Sequence, residues 1–180
     1  MVKPQTVFAS AVAVALAVTS LFAQGERKRI SPHEQVQVTV AGKSIKIDYG
    51  RPYLKGRKAI GGDLVPYGKV WRTGADEATM LTTEVDLMIG DLKVPAGSYS
   101  LFTLPSEEGW TLIVNKVAKQ WGAFKYDPAT DLGRVRMKVE KTPSLVEQFT
   151  ISFEQPTAKS AILALAWENT KASVPVKVSE

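Results

Sequence analysis

Residues 34–50, "EQVQVTVAGKSIKIDYG", decide the fold through their regular alternation of apolar and polar side chains. The apolar members recur at every second position in each half of the stretch: Val36, Val38, Val40, Ile45, Ile47 and Tyr49. A period of two is typical of a β-strand with one buried face. Ala41 and Gly42 separate the two halves, so the stretch predicts two short strands joined by a glycine turn.

The same alternation predicts strands along the rest of the chain. They are expected near residues 69–73, 77–89, 92–94, 98–104, 110–116, 133–141, 147–154, 161–168 and 172–178. Gly90 and Asp91 suit a two-residue hairpin loop, and "PSEEG" suggests a longer loop before Trp110. No stretch sustains a period of 3.6 residues, so helix is expected only as a turn or two within residues 115–131.

Regular short strands without crossover helices predict an all-β fold. The preferred architecture is an antiparallel β-sandwich with jelly-roll-like topology, and a barrel is the alternative. There is no internal repeat, low-complexity tract or composition break in the sequence. Residues 33–180 are therefore predicted to form a single β-sandwich domain.

The chain begins with features of an export signal. Lys3 is followed by a run of apolar and small residues from Val7 to Ala23, which predicts a signal peptide over residues 1–23. The domain is then expected to be secreted or periplasmic, with residues 24–32 as a flexible lead-in and no transmembrane helix in the mature form. The alternative is a single membrane anchor, because positive charges at residues 27–29 follow the apolar run directly.

Several classes of site and partner are excluded by composition. The chain has no cysteine, and His33 is its only histidine, so cysteine–histidine zinc sites and multi-histidine metal centres are impossible. "GRKAIGGDL", residues 56–64, lacks the spacing and context of a phosphate-binding loop. No metal or cofactor is expected. Basic residues mostly alternate with acidic ones, so a nucleic-acid partner is not expected either.

The stretch "GKVWRTGADEATMLTT", residues 68–83, concentrates charge next to aromatic surface. If residues 73–76 form a hairpin loop, Arg72 and Glu77 lie opposite one another, with Trp71 on the other face. Glu77 lies an even number of positions before the apolar residues of the next predicted strand, so it shares their face. The Arg72–Glu77 pair is therefore predicted to point inward. Inward charges are costly unless paired and often mark a site. The alternative is an ion pair that plugs the open end of the sandwich.

Further polar and aromatic residues are expected to converge on the same end. "GRPYLKGRK" supplies Arg51 and Arg57, "LVPYG" supplies Tyr67, and "NKVAKQWGAFKYD" supplies Trp121. Forked arginines suit carboxylate or phosphate groups, and a tryptophan face suits a sugar ring. The predicted ligand is therefore a glycan or an anionic small molecule, bound without catalysis by Arg72, Glu77, Trp71, Trp121, Arg51, Arg57 and Tyr67.

Two other functions stay open from the residues alone. One is a carboxylate-dependent hydrolase that uses Glu77 as an acid or base with Asp76 or another acid. The other is a structural or interaction domain of the cell envelope. An open cleft at the end of the sandwich would favour ligand binding or hydrolysis, whereas a filled end would favour the structural role.

Five segments of the chain resemble a bacterial family known as domain of unknown function 2911. They are "SPHE" at 31–34, "YGRPYLKGRK" at 49–58, "LVPYGKVWRTGADEAT" at 64–79, "VPAGSYSLFTLP" at 94–105 and "NKVAKQWG" at 115–122. The resemblance covers essentially the whole chain after the leader. It implies an exported, β-rich bacterial domain, and it carries no assigned activity or catalytic residue.

We expect the mature protein to begin between Gln24 and Glu26, because Lys3 and the apolar run supply an export signal. Mass spectrometry of the protein isolated from its native cells measures this terminus directly. An intact terminus at Met1 or Val2 in the membrane fraction would instead indicate an anchor.

Overall fold

A computed structural model of the protein describes residues 29–179. Nine strands make up nearly all of its regular structure: β1 (His33–Val40), β2 (Lys43–Gly50), β3 (Thr79–Thr83), β4 (Leu87–Ile89), β5 (Leu92–Val94), β6 (Gly97–Ser106), β7 (Gly109–Asn115), β8 (Asp131–Glu154) and β9 (Ser160–Val178). Within these residues the one helical segment is a 3₁₀ turn, Pro128–Thr130. The predicted signal peptide and residues 24–28 lie outside the described part of the chain.

All nine strands belong to one antiparallel sheet in the order β1-β2-β3-β6-β7-β8-β9-β4-β5. Strand β8 pairs with β7 over its first seven residues and with β9 beyond them. It therefore passes from the layer that contains β7 into the layer that contains β9. Across the layers, the ring of Tyr49 in β2 meets that of Phe149 in β8, with centroids 5.8 Å apart. The predicted all-β antiparallel fold is confirmed, and its two layers are parts of one continuous sheet.

The alternating stretch forms the hairpin that its pattern predicts. Val36 of β1 lies opposite Ile47 of β2, and the strands are joined by the two residues Ala41 and Gly42. Ile45 and Ile47 are completely buried, whereas Lys46 between them is partly exposed. The apolar face of β2 thus lines the core, as a period of two requires. The loop at Gly90 and Asp91 and the helical turn within residues 115–131 are confirmed as well.

Other boundaries differ from those predicted. Pro105 does not begin a long loop; it lies within β6 opposite Trp110 of β7, and only Glu107 and Glu108 connect the two strands. The predicted strands over 133–141 and 147–154 are one strand, β8, interrupted by irregular pairing with β9. The strands predicted over residues 161–168 and 172–178 are likewise one strand, β9.

The strand predicted over residues 77–89 is divided in two. Between β3 and β4, the hydroxyl of Thr83 accepts a hydrogen bond from the Val85 amide at 3.3 Å and donates to the Val85 carbonyl at 2.7 Å. These local bonds replace sheet pairing and turn the chain. As a result, β3 joins β2 and β6, whereas β4 joins β5 and β9.

Trp71 lies at the centre of the core rather than on the face away from it. Its ring stacks on Trp167 of β9 with centroids 6.0 Å apart, and it meets Trp110 of β7 and Phe149 of β8 edge to face. Its backbone exchanges hydrogen bonds with Thr103 of β6 at 2.8 and 2.9 Å. Residues 69–73 therefore form an isolated bridge at Trp71 and not a full strand.

Among residues 29–179, no helix has the length and apolar character needed to cross a bilayer.

The hairpin turn between β1 and β2 is a place where stability can be gained. Ala41 and Gly42 have φ values of +51° and +72°, and a side chain such as alanine tolerates positive φ poorly. Because asparagine adopts this conformation more readily, Ala41→Asn is expected to raise the free energy of unfolding by about 0.5–1 kcal/mol. Urea unfolding measures the change.

Ala41→Val is the matched control, since a β-branched residue at positive φ should lower the free energy of unfolding. Equal midpoints for the asparagine and valine variants would contradict the turn conformation.

A candidate ligand-binding cleft

The residues after Trp71 form a strained and tightly held turn. Thr73 and Asp76 have φ values of +56° and +62°, which are unusual for residues other than glycine, and Thr73 is completely buried. Thr73 donates to the Thr103 hydroxyl at 3.2 Å, and the Thr79 hydroxyl donates to the Thr73 carbonyl at 2.6 Å. Backbone strain of this kind persists only where surrounding contacts enforce it.

Gly50 at the end of β2 holds the far side of this turn. The Ala75 amide donates to the Gly50 carbonyl at 3.2 Å, and a Cβ added to Gly50 would lie 2.3 Å from the Ala75 carbonyl oxygen. Only glycine permits this approach of two backbones. The turn is thereby fixed between β2 and β6, and the residues that follow it lead into β3.

A segment that we call the flap, residues 116–127, lies alongside the turn. Glu77 and Trp121 form an isolated antiparallel bridge, the Ala78 amide donates to the Gln120 carbonyl at 2.9 Å, and the Gly122 amide donates to the Asp76 carbonyl at 3.0 Å. These backbone bonds fix the flap against the turn.

Asn115, Tyr126 and Asp131 secure the ends of the flap. The Asn115 amide group donates to Asp131 at 3.0 Å, and the Tyr126 hydroxyl donates to the same carboxylate at 2.7 Å. Burial and the adjacent Asp131 charge raise the pKa of Tyr126 to about 12, so its hydroxyl stays protonated and continues to donate. The flap is therefore anchored at both ends by side chains as well as by its backbone.

A cleft of about 480 Å³ opens between the flap, β2, β3 and the start of the described chain. Its lining residues are Arg29, His33, Asp48, Tyr49, Glu77, Ala78, Met80, Ala118, Lys119, Gln120 and Trp121. The volume falls within the range of about 300–1,000 Å³ that is typical of small-molecule sites.

Charged side chains converge at one wall of the cleft. His33 Nε2 lies 3.3 Å from Asp76 Oδ2 and 3.4 Å from Glu77 Oε2. Arg29 Nη2 donates to Glu77 Oε1 at 2.7 Å, and Arg29 Nε lies 3.2 and 3.3 Å from the two Glu77 oxygens. Among residues 29–179, no group of three or more acidic or histidine side chains is suited to hold a metal ion.

Glu77 is held in its charged form by these neighbours. Burial acts to raise the pKa of Glu77, but hydrogen bonds from Arg29 and from the Glu77 backbone, with the charges of Arg29 and His33, outweigh it and lower the pKa. A lowered pKa in the folded state means that this carboxylate stabilises the fold above its ordinary titration range. The contribution is lost as the pH falls through the lowered pKa.

The predicted Arg72–Glu77 ion pair is wrong. Glu77 pairs with Arg29 and His33, and Arg72 does not line the cleft. Arg72 Nε is buried, with no hydrogen-bond partner among the described residues. Burial lowers the pKa of Arg72, and the charge of Asp76 opposes that shift. The predicted orientation assumed regular strands on both sides of a hairpin loop, whereas the strained turn changes the direction of the side chains.

Three other residues of the predicted set also lie away from the cleft. Arg51, directly after β2, donates to the Phe149 carbonyl at 3.0 Å and the Thr150 hydroxyl at 2.8 Å in β8, and to Glu34 in β1. Arg57 donates to carbonyls in its own loop at 2.9 and 2.8 Å. Tyr67 packs its ring on Gly61. Of the predicted ligand-binding residues, Glu77 and Trp121 line the cleft, and Trp71 supports it from the core.

Sequence reasoning missed the position of His33. As the only histidine of the sequence, it served there only to exclude zinc and multi-histidine metal sites. In the structure His33 begins β1 opposite Gly50, and the Pro32 carbonyl accepts from the Arg51 amide at 2.7 Å. Its place directly before the alternating stretch is the feature that indicates an ordered strand end.

These observations define an all-β domain with a polar cleft beside a strained turn. Residues 31–176 match the family described as "Protein of unknown function (DUF2911)", and the chain belongs to that family. Comparisons with curated proteins and with solved structures each found no match. The matched segment contains His33, Asp76 and Glu77, whereas Arg29 precedes it.

The pairing of Glu77 is testable by double-mutant cycles on the free energy of unfolding. Because Arg72 and Glu77 make no direct contact, Arg72→Met and Glu77→Gln are expected to add within about 0.3–0.5 kcal/mol. Arg29→Met and Glu77→Gln remove one exposed ion pair and should couple by about 0.2–1 kcal/mol. Larger coupling for Arg72 than for Arg29 would contradict the observed pairing.

Proposed function

We propose that the protein binds a polar small molecule or glycan in the cleft and does not transform it. The observation that carries this proposal is the convergence of ionised Glu77, the His33–Asp76 contact and Trp121 at one open cavity of about 480 Å³. A cavity with apolar surface and a few convergent polar groups is the usual form of a ligand site.

The composition of the wall supports a polar ligand. Met80, Ala118 and Trp121 supply apolar contact, and Glu77 and Lys119 supply a hydrogen-bond acceptor and a donor. Aromatic faces beside hydrogen-bonding groups suit the two sides of a sugar ring.

The flap residues are held in place without a ligand. The Gln120 side-chain nitrogen donates to the Ser100 hydroxyl, the Asn115 side chain and the Val117 carbonyl at 3.0–3.1 Å. A wall that is already ordered loses little conformational freedom on binding. This preorganisation supports a binding role for the cleft.

The charge state of Glu77 argues against its use as the general acid in the hydrolase alternative. A glycosidase needs one carboxylic acid whose pKa is raised so that it can protonate the leaving group. The pKa of Glu77 is lowered instead, which leaves the residue ionised at neutral pH. The structural alternative is also less favoured, because an open cleft lies between the flap, β2 and β3.

We also propose that the domain acts outside the cytoplasm, as a secreted or periplasmic protein. Lys3 and the apolar run over residues 7–23 support this location. A ligand met there would be a polar metabolite or glycan of the cell envelope or its surroundings.

A panel of glycans and polar metabolites, screened by the thermal shift of the full chain, tests the binding proposal. For any compound that binds, Trp121→Ala is expected to weaken binding about tenfold or more, because it removes aromatic contact at the cleft. Isothermal titration calorimetry measures the change.

Phe124→Ala is the matched control, since Phe124 lies on the same flap, is 82% exposed and does not line the cleft. It is expected to bind like the unaltered protein. Equal binding by both variants to every compound found would contradict a ligand site at this cleft.

A further inference from the structure

We infer that the ligand of this cleft carries a guanidinium group that binds Glu77, and that Arg29 occupies this position in the ligand-free protein. The inference rests on the proposed binding function and specifies its ligand class. In this arrangement, the segment before β1 acts as a tethered competitor of the ligand.

Two nitrogens of the Arg29 guanidinium group face the carboxylate of Glu77. Arg29 presents Nε and Nη2 to the carboxylate, with contacts of 2.7 Å to Oε1 from Nη2 and of 3.2 and 3.3 Å from Nε. A planar guanidinium facing a carboxylate is the fork-like pairing that distinguishes arginine from the single point charge of lysine. The cleft therefore already holds one guanidinium group, supplied by the chain itself.

Displacement of Arg29 leaves the cleft with an excess of negative charge. Glu77 and Asp48 then line the cleft as carboxylates, and Asp76 lies behind them in contact with His33. Lys119 is the remaining lysine or arginine among the described lining residues. A cleft with more carboxylates than fixed cations attracts a cationic ligand. Trp121 lines the same wall and adds aromatic surface, which attracts cations.

Arg29 and the other residues of the cleft belong to different parts of the chain. Residues 31–176 match the family, so Glu77, Asp48 and Trp121 belong to the shared domain and Arg29 belongs to the segment before it. The Arg29 side chain is 55% exposed and that of Glu77 is 36% exposed. Exposed ion pairs are weak, so a free ligand with the same group can displace Arg29. While Arg29 is bound, it lowers the apparent affinity by reducing the fraction of open sites.

The same wall of the cleft is less suited to an anionic ligand. Arg72, Arg51 and Arg57, which were predicted to bind an anion, do not line the cleft. His33 is shared between two carboxylates, and Arg29 is bound to one of them. An incoming anion would meet Glu77 and Asp48 at close range.

The test uses Nα-acetyl-L-arginine N-methylamide as a probe, with the citrulline counterpart as an uncharged analogue of nearly the same shape. Calorimetry on the full chain is expected to show weak binding of the arginine probe. The Arg29→Ala variant should bind about two- to sixfold tighter, because the tethered competitor, held by an exposed ion pair, is gone. Glu77→Gln in the same background should abolish this binding. Arg136→Ala, which removes an arginine bonded to the Glu108 carbonyl, should behave like the unaltered protein.

Thermal unfolding checks that each variant is folded. A second measurement, by nuclear magnetic resonance on the unaltered protein, does not depend on any variant at Glu77. The Nε–H resonance of Arg29, assigned from its absence in Arg29→Ala, should shift when the arginine probe is added to the unaltered protein. Added salt should weaken the binding, since both partners are charged and partly exposed.

The inference is overturned if Arg29→Ala gains no affinity for the arginine probe, if the citrulline analogue binds equally well, or if the Arg29 resonance is unmoved at saturating probe. Failure here leaves the general binding function intact if another compound binds in a Trp121-dependent manner. If no compound of either panel binds at the cleft, the binding function fails too.

Discussion

The packing of Trp71 against three aromatic rings is the contact on which the rest of the structure depends. Trp110, Phe149 and Trp167 come from three neighbouring strands, and the ring of Trp71 fills the space that they enclose. A buried tryptophan in such a cluster contributes both apolar area and specific ring contacts. Since Trp71 precedes the turn directly, its fixed position determines where the turn begins and how far its charged residues can reach.

The cleft is assembled from segments that are distant in sequence. Arg29 and His33 come from the start of the described chain, Asp48 from β2, Glu77 from the turn and Trp121 from the flap. Each segment is fixed by backbone bonds to a neighbour, such as the bridge between Glu77 and Trp121. The strained backbone at Thr73 and Asp76 is therefore supported by the same contacts that form the cleft wall.

The fold was largely predictable because the alternation of apolar and polar residues indicates directly which side chains are buried. The pattern in residues 34–50 predicts both strands and their turn, and the structure places Ile45 and Ile47 in the core. The direction of Arg72 and Glu77 was not predictable in the same way. Parity carries information only along a continuous strand. Positive φ at Thr73, a β-branched residue, interrupts it and has no clear signature in the sequence.

The pairing of His33 and Arg29 with Glu77 was beyond sequence reasoning for another reason. These contacts join residues more than 40 positions apart, and they depend on how the sheet folds over itself. A simple hairpin over residues 71–78 would place Trp71 opposite Ala78. Instead, Ala78 belongs to a separate cluster with Phe102 and Ile113.

The strand order also has a consequence for when the protein can reach its native state. Leu87 of β4 pairs with Val178 of β9, so the β4–β5 hairpin can join the rest of the sheet only after β9 has been synthesised. Closing such a long loop is entropically unfavourable, and sheets built from distant pairings fold slowly. Folding of the whole sheet therefore waits for β9, and a chain shortened before this strand would leave β4 and β5 without their partner.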